Sequence, residues 1–420
     1  MRVLWVKAGK LLPVDTGGKI RSYNILRRLG PDKNNDKNQD LTLLSYYGGE
    51  RDLEYEAALP REFPQAQVLY TAASESNGLR GVLDYLYHLP RLAPYSVTKF
   101  THAPVRARIA SLLSSGQFDV AICDFLAPSL NFPAKSPIPW LLFQHNVESA
   151  LWRRMATTES HPLKKMSYTL EAARMSRYER QTLARFQHII AVSENDREQM
   201  LKMCPSASIT VNPTGVDTQK FPVAPASSAT PPRIVFTGSM DWEPNIDAVE
   251  FFCAQIWPRI LADFPDAVFQ IVGRNPFAKV QRLASKSVQV TGTVPSVTDY
   301  LRDATVVIVP LRIGGGTRLK IYEAMAMGKA LVSTTIGAEG LTFQNGRDLM
   351  LADDASSFGD AILLLLRDAQ IRRRFELASA QLAAQFDWSV VVGQFAEILR
   401  KVASGKPSGS RATNTVTARP

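Results

Sequence analysis

Along nearly the whole chain, short apolar runs alternate with stretches of helical periodicity. VLWV (3–6), LTLLSYY (41–47), VAICDF (120–125), PWLLFQ (139–144) and HIIAVS (188–193) punctuate the first half. RIVFTG (233–238), VFQIVG (268–273), VQVTG (288–292), TVVIVPL (305–311), ALVSTT (330–335) and DLMLA (348–352) punctuate the second. A strand covered on both faces reads as a continuous apolar run, and strands separated by helices return in the same direction to pair in parallel. The pattern therefore predicts an α/β protein of two Rossmann-like, doubly wound parallel-sheet domains. FPVAPASSATPPR (221–233) interrupts the rhythm with Pro, Ala and Ser, which divides the chain into a first domain (1–220), a linker (221–232) and a second domain (233–386). A helix over 387–403 is expected to pack back toward the first domain, and 404–420 has no apolar content to order it. The charged loop PDKNNDKNQD (31–40) reads as solvated.

In such sheets, ligands bind beyond the carboxyl ends of the strands, so the residues that follow each apolar run carry the functional information. After 305–311 comes Gly314-Gly315-Gly316-Thr317-Arg318-Leu319-Lys320 and then a helix. Glycines allow the N–H groups of a helix N-terminus to approach a phosphate, and the helix dipole favours an anion there. Arg318 and Lys320 fall in the first turn, where a cation is disfavoured by about 0.3–1 kcal/mol unless an anion is bound. Glu323 lies one turn on, as a carboxylate able to accept hydrogen bonds from a ribose diol. A solvated glycine turn is the plain alternative.

Three other strand ends supply candidates. Gly17 and Gly18 open a helix that runs to about Leu29, with Arg21 placed to neutralise an anion. Gln144-His145-Asn146-Val147-Glu148 puts an imidazole at a strand end, where it can hydrogen-bond a sugar hydroxyl or handle a proton near neutral pH. Gly238 and Ser239 follow the first strand of the second domain, with Asn245 as N-cap of a helix starting at Ile246. Gly273-Arg274-Asn275 and Thr335 to Glu339 border the same region as either ligand contacts or simple connections. The first strand is not followed by the glycine fingerprint of dinucleotide-binding sites, and no phosphate-binding P-loop occurs. Without an Asp-x-Asp pair for a divalent ion, a metal-free diphosphate site built from helix termini, Arg and Lys is expected, with no cofactor.

Three cysteines without ligand spacing suit reduced thiols, and the short apolar start and absence of a long apolar run lead to an expectation of a cytoplasmic protein. The net charge of +10 is concentrated in part in 151–186, a helix-like stretch with eight basic and three acidic residues. That density raises the expectation of peripheral attachment to an anionic membrane, against an ordinary solvated helix face. Nothing in the chain has the aromatic-rich basic pattern that reads nucleic acid.

With these residues in view, the chain resembles the family 4 glycosyltransferases. The match runs through Gly17-Gly18 with Arg21, the His145 element, Asn212-Pro-Thr-Gly-Val-Asp217, Gly238 to Asn245, and most strongly Gly316 to Gly328. More narrowly, it is similar to bacterial sugar transferases of exopolysaccharide and protein-sorting systems. The resemblance implies the GT-B fold, two domains facing across a cleft that holds a nucleotide sugar. It implies transfer to a glycan or lipid-linked acceptor with retention of configuration. By the same resemblance Glu323 binds the donor ribose, Arg318 and Lys320 hold the diphosphate, His145 contacts the donor sugar and Gly18 approaches the phosphates. Gly238, Ser239, Gly315, Gly316 and Thr317 join the donor site. The family's first glutamate is replaced here by Gly315, and Ser239 and Met240 stand where Arg and Lys are usual. A sugar-nucleotide epimerase of the same architecture and a non-catalytic nucleotide-sugar-binding protein are the competing readings.

Overall fold

The computed structural model describes residues 1–30, 40–71, 93–225, 230–314 and 318–405. The described residues form two compact units, one made of Met1–Pro213 with residues 391–405, the other of Thr214–Val390.

Among the described residues the first unit has seven parallel strands, β1 (Arg2–Ala8), β2 (Asp40–Tyr47), β3 (Gln67–Tyr70), β4 (Val120–Asp124), β5 (Trp140–Gln144), β6 (His188–Ala191) and β7 (Ile209–Val211). Their order is β3-β2-β1-β4-β5-β6-β7. β4 and β5 are buried along their whole length, as their unbroken apolar runs require. On β1, Trp5 packs edge-on to Phe143 at 5.9 Å and stacks with Phe395 at 5.7 Å, the latter from the helix Trp388–Ala403. The second unit has β8 (Arg233–Thr237), β9 (Val268–Val272), β10 (Val288–Gly292), β11 (Val306–Val309), β12 (Leu331–Ser333) and β13 (Met350–Leu351). These are again parallel, in the order β10-β9-β8-β11-β12-β13. Its core gathers Phe252 against Phe269 at 4.5 Å, with Trp257 and Phe358 around them.

Each sheet reverses its winding once, between β1 and β4 in the first unit and between β8 and β11 in the second. At such a point the connections leave to opposite faces and a crevice opens beyond the strand ends.

Four details differ from the sequence reading. β3 and β7 are absent from it, because both are three or four residues long, half-buried and on a sheet edge, where an apolar run is not needed. The basic stretch 151–186 is two helices, Glu148–Thr158 and Pro162–Arg185, with Pro162 starting the second. Asn245 is not an N-cap: its helix begins at Glu243, and its carboxamide serves a loop instead. The units divide at Pro213, ahead of 220, because the following residues are tied into the second unit. The Val216 N–H donates to the Phe386 carbonyl at 2.8 Å, and Thr218 donates to the Asp387 carboxylate at 2.7 Å. The loop residues 31–39, the linker residues 226–229 and the tail 406–420 lie outside the described residues.

Candidate functional site

In the second unit, the switch point is flanked by Gly238 and Ser239 after β8 and by the turn into the helix Leu319–Ala326 after β11. Gly315, Gly316 and Thr317 lie outside the described residues, but the groups on either side define the geometry. Gly314 has φ 116°, which excludes side chains, and a Cβ there would stand 2.6 Å from Arg318 Nη2. Arg318 occupies the N-cap position, 7% exposed, with its guanidinium carbon 5.2 Å from the Trp242 ring centre. Lys320 lies beside it. The ammonium donates to Asn245 Oδ1 at 3.1 Å and sits 4.2 Å from the Phe236 ring centre. A Cβ on Gly238 would come within 2.7 Å of that ammonium and of Asn245 Nδ2, so the strand end can approach only as glycine. Asn245 Nδ2 in turn donates to the Ser239 carbonyl at 2.9 Å, which locks the β8 loop to the Lys320 side chain.

Two cations therefore share one enclosed corner at a helix start. Burial, and then repulsion from Arg318, push the Lys320 ammonium down to about 7, with Glu323 pulling the other way. Burial likewise raises the Glu323 carboxyl, opposed by Lys220 and Lys320. Ser239 lies at the rim, its hydroxyl donating to Asp241 at 2.6 Å and accepting from Arg274 Nε at 2.9 Å.

In the first unit, the sequence candidates meet around a residue that the sequence reading did not single out. Asp124, at the end of β4, accepts from Ser22 Oγ at 2.7 Å, Trp5 Nε1 at 3.1 Å and Lys7 Nζ at 3.1 Å on one oxygen. Its other oxygen accepts from His145 Nε2 at 2.8 Å. Burial alone would raise this carboxyl, but Lys7, His145 and Ser22 together hold it far below the usual carboxylate range. Arg21 Nη1 lies 2.9 Å from His145 Nδ1. A guanidinium only donates and a carboxylate only accepts, so the histidine is the neutral tautomer with its proton on Nε2. Burial is the main reason that its pKa falls to about 3.

These contacts change what the two residues can do. His145 is 2% exposed with both nitrogens hydrogen-bonded inside the protein, so it is no proton carrier near neutral pH. Arg21, expected to meet a phosphate, is 5% exposed and spends a guanidinium nitrogen on His145. Gly17 is exposed at the first position of the helix Gly17–Leu29, and Gly18 lines a cavity of about 920 Å³ beyond β1. Asp124 was legible in principle, as a carboxylate closing an apolar run. Phe125, which follows it with φ 70° and stacks on His145 at 3.6 Å, carried no such signal. Among the described residues no group of three His, Cys, Asp or Glu is arranged to hold a metal ion.

Two parallel sheets, each reversing its winding once, define an α/β protein of twin Rossmann-like units. The model of the Glycosyltransferase Family 4 domain matches residues 58–220, and that of the glycosyl transferases group 1 matches 231–368. The chain belongs to the family 4 glycosyltransferases, of GT-B fold. It is 26% identical over 323 residues to a phosphatidyl-myo-inositol mannosyltransferase of Mycolicibacterium smegmatis, covering 74% of this chain and 78% of that one. A protein of the cps region of Klebsiella pneumoniae is 22% identical over 61% of this chain and 68% of its own. Among solved structures, Thermosynechococcus elongatus sucrose-phosphate synthase aligns with a TM-score of 0.67 at 14% identity, over 96% of this chain and all of that one. Anabaena HepE in complex with UDP aligns with a TM-score of 0.63, also at 14% identity, over 96% and 100%.

Proposed function

We propose that this glycosyltransferase takes a sugar from a nucleoside-diphosphate donor and passes it to a glycan or lipid-linked acceptor. Transfer proceeds with retention and without a metal ion, in polysaccharide or glycoconjugate synthesis. The observation that carries the reading is the Arg318–Lys320 corner, where two cations are enclosed at a helix start with Lys320 lowered to about 7. A diphosphate restores the charge balance there, and the same cations stabilise the negative charge that grows on the leaving group as the glycosidic bond breaks. Glu323, on the same helix, takes the ribose, and Gly238 and Ser239 border the phosphates. Gly315, Gly316, Thr317, Gly17 and Gly18 are further donor-binding candidates, and Arg21 acts through His145.

His145 serves the sugar side as a positioning residue. As a neutral imidazole fixed by Asp124 and Arg21, it supports Phe125 and transfers no proton. Known proteins point the same way: HepE is solved with UDP and with UDP-glucose, and the mycobacterial relatives are named for a phosphatidyl-myo-inositol acceptor. The cps-region relative supports a polysaccharide setting.

A lipid-linked acceptor places the enzyme at the cytoplasmic face of a membrane as a peripheral protein. No helix of the described residues is long and apolar enough to cross one. On the helices Glu148–Thr158 and Pro162–Arg185, Met155, Leu163, Met166 and Leu170 are 41–68% exposed, flanked by exposed Arg153, Arg154, Lys164 and Lys165. Glu171 and Glu179, two of the three acids of this stretch, are buried. The test of the whole reading is a donor screen, scoring nucleoside diphosphate release from UDP-, GDP- and other nucleotide sugars with a lipid-linked acceptor extract in EDTA. Release from one donor, dependent on acceptor, is expected. Turnover that needs added Mg²⁺ or Mn²⁺ rejects the metal-free site, and binding of donor without release rejects catalysis.

A further inference from the structure

In the Arg318–Lys320 corner, the Lys320 ammonium is held by a group that carries no charge. Asn245, the third residue of the helix Glu243–Phe251, is 3% exposed. Its Oδ1 accepts from Lys320 Nζ at 3.1 Å and its Nδ2 donates to the Ser239 carbonyl at 2.9 Å. An ammonium only donates and a carbonyl only accepts, so the carboxamide has a single workable orientation. Reversing it would set N–H groups against the ammonium and oxygen against oxygen.

Both ends of this link are fixed. The Gly238 N–H donates to the Val272 carbonyl at 2.9 Å and the Met240 N–H to the Arg274 carbonyl at 2.8 Å, so the end of β9 pins the loop that carries Ser239. A Cβ on Gly273 would lie 1.6 Å from the Gly238 carbonyl oxygen, so the two strand ends meet this closely only as glycines. At the other end, Lys320 Nζ sits 4.2 Å from the Phe236 ring centre.

The charged groups that act on Lys320 come from its own segment, Arg318 before it and Glu323 after it. What β8 and the helix Glu243–Phe251 bring against the ammonium, Phe236 and Asn245, is uncharged. The acids of that helix serve other cations: Glu243 pairs with Lys279 at 2.8 Å, Glu250 acts on the same lysine, and Asp247 pairs with Arg312. A carboxylate at position 245 would neutralise the ammonium. A carboxamide there directs it and leaves its charge for a ligand.

We infer that Asn245 is a positioning residue for the donor: it aims the Lys320 ammonium without neutralising it, and so sets the pH range over which the corner holds a diphosphate. The inference rests on the proposed donor reading for the identity of that anion, whereas the Asn245–Lys320 coupling stands apart from it.

The test reads the unliganded full chain and its pyrophosphate complex separately. The Lys320 titration is followed by NMR of ¹³Cε-labelled lysine, with Lys320→Arg to assign the signal. Asn245→Asp should raise the midpoint by at least about one pH unit, because a carboxylate favours the charged ammonium, and Asn245→Ala should lower it, because an acceptor is lost. Calorimetry with inorganic pyrophosphate, from about pH 6 to 9, should follow the same shifts. In Asn245→Asp, affinity should drop at least about tenfold on the acid side and its decline should begin at higher pH; in Asn245→Ala the decline should begin at lower pH. Asn245→Asp is isosteric with the native residue and carries the test if Asn245→Ala melts early. A Lys320 midpoint unmoved in Asn245→Asp, or pyrophosphate affinity reduced by one factor at every pH, as a merely structural residue would give, overturns the inference. Midpoints that move as stated while neither pyrophosphate nor UDP binds the unmodified protein defeat the donor reading and leave the coupling in place, so the two failures are separable.

Discussion

The two sheets of this protein reach the same crevice geometry and furnish it in opposite ways. At the β8/β11 switch point, Arg318 and Lys320 stand together in an enclosed corner, and Lys320 responds by falling to about 7. At the β1/β4 switch point, Lys7, Lys10 and Lys19 each meet a carboxylate, and the carboxylate of Asp124 is held far below its ordinary range. Topology supplies a crevice, and local charge balance decides its occupant. A corner with two neighbouring cations is the better candidate for an anion, whereas lysines that each meet a carboxylate present hydrogen bonds with less net charge.

The sharpest way to break this contrast is to unbalance the first crevice. Asp124→Ala strands the buried Lys7 and takes a partner from His145, Ser22 and Trp5, so denaturant unfolding should show a loss of about 3–5 kcal/mol, as for other broken buried pairs. Asp15→Ala, which releases only the part-exposed Lys19, should cost about 0–1 kcal/mol, and Asp52→Ala, which releases Lys10 and also removes the helix cap on the Tyr55 N–H, about 1–2 kcal/mol. Equal losses would mean that the buried hub has no special weight.

Next in size, the Arg318→Ala, Lys320→Ala double variant should bind nucleoside diphosphate at least about 100-fold more weakly by calorimetry, since each charged hydrogen bond contributes about 1.5–3 kcal/mol. Unchanged affinity would remove the distinction between the crevices. His145→Ala should reduce turnover by about 10² while nucleoside diphosphate affinity stays within about twofold, the pattern of a group felt on the sugar side. Normal turnover, or simple unfolding, would return His145 to a structural role.

The pH dependence separates the crevices by sign. Lys320 has a folded pKa below its unfolded value, so its burial imposes a penalty that is full below pH 7 and vanishes toward about 10.5, and stability rises with pH across that window. A diphosphate restores its proton, so affinity should fall by up to about tenfold per pH unit above 7, with proton uptake seen calorimetrically in two buffers. Lys320→Arg should abolish that slope, because guanidinium keeps its proton. In the first unit, the depressed Asp124 stabilises above its unfolded pKa and that stability is lost as pH falls through the folded value. His145 cannot take up the proton that the unfolded chain accepts below about pH 6.5, so stability also falls from there toward about 3. The smallest effect belongs to the surface: sedimentation with anionic liposomes should drop a fewfold from low to 0.5 M salt, and further in Leu163→Glu, Met166→Glu. Equal binding to neutral liposomes would exclude the electrostatic part.

The alternation of apolar runs with helices determined the fold class, because strands buried on both faces leave a pattern that needs no tertiary information. The neighbourhood of Arg318 and Lys320 was legible as a candidate site for a related reason: glycines, two cations and the start of a helix are adjacent in sequence. The edge strands β3 and β7 were beyond its reach, since half-buried strands of three or four residues are not distinguished from loops by composition. The same limit applied to the first crevice. His145 and Arg21 looked like free functional groups because the residues that occupy them, Asp124 and each other, are brought together from 21 to 124 positions away. Phe125 shows the division most plainly. Its strained φ, its stacking on His145 and its place on the cavity wall arise only when β4, β5 and the helix after β1 converge, and a carboxylate's pairing or a ring's exposure is a property of that convergence rather than of any one segment.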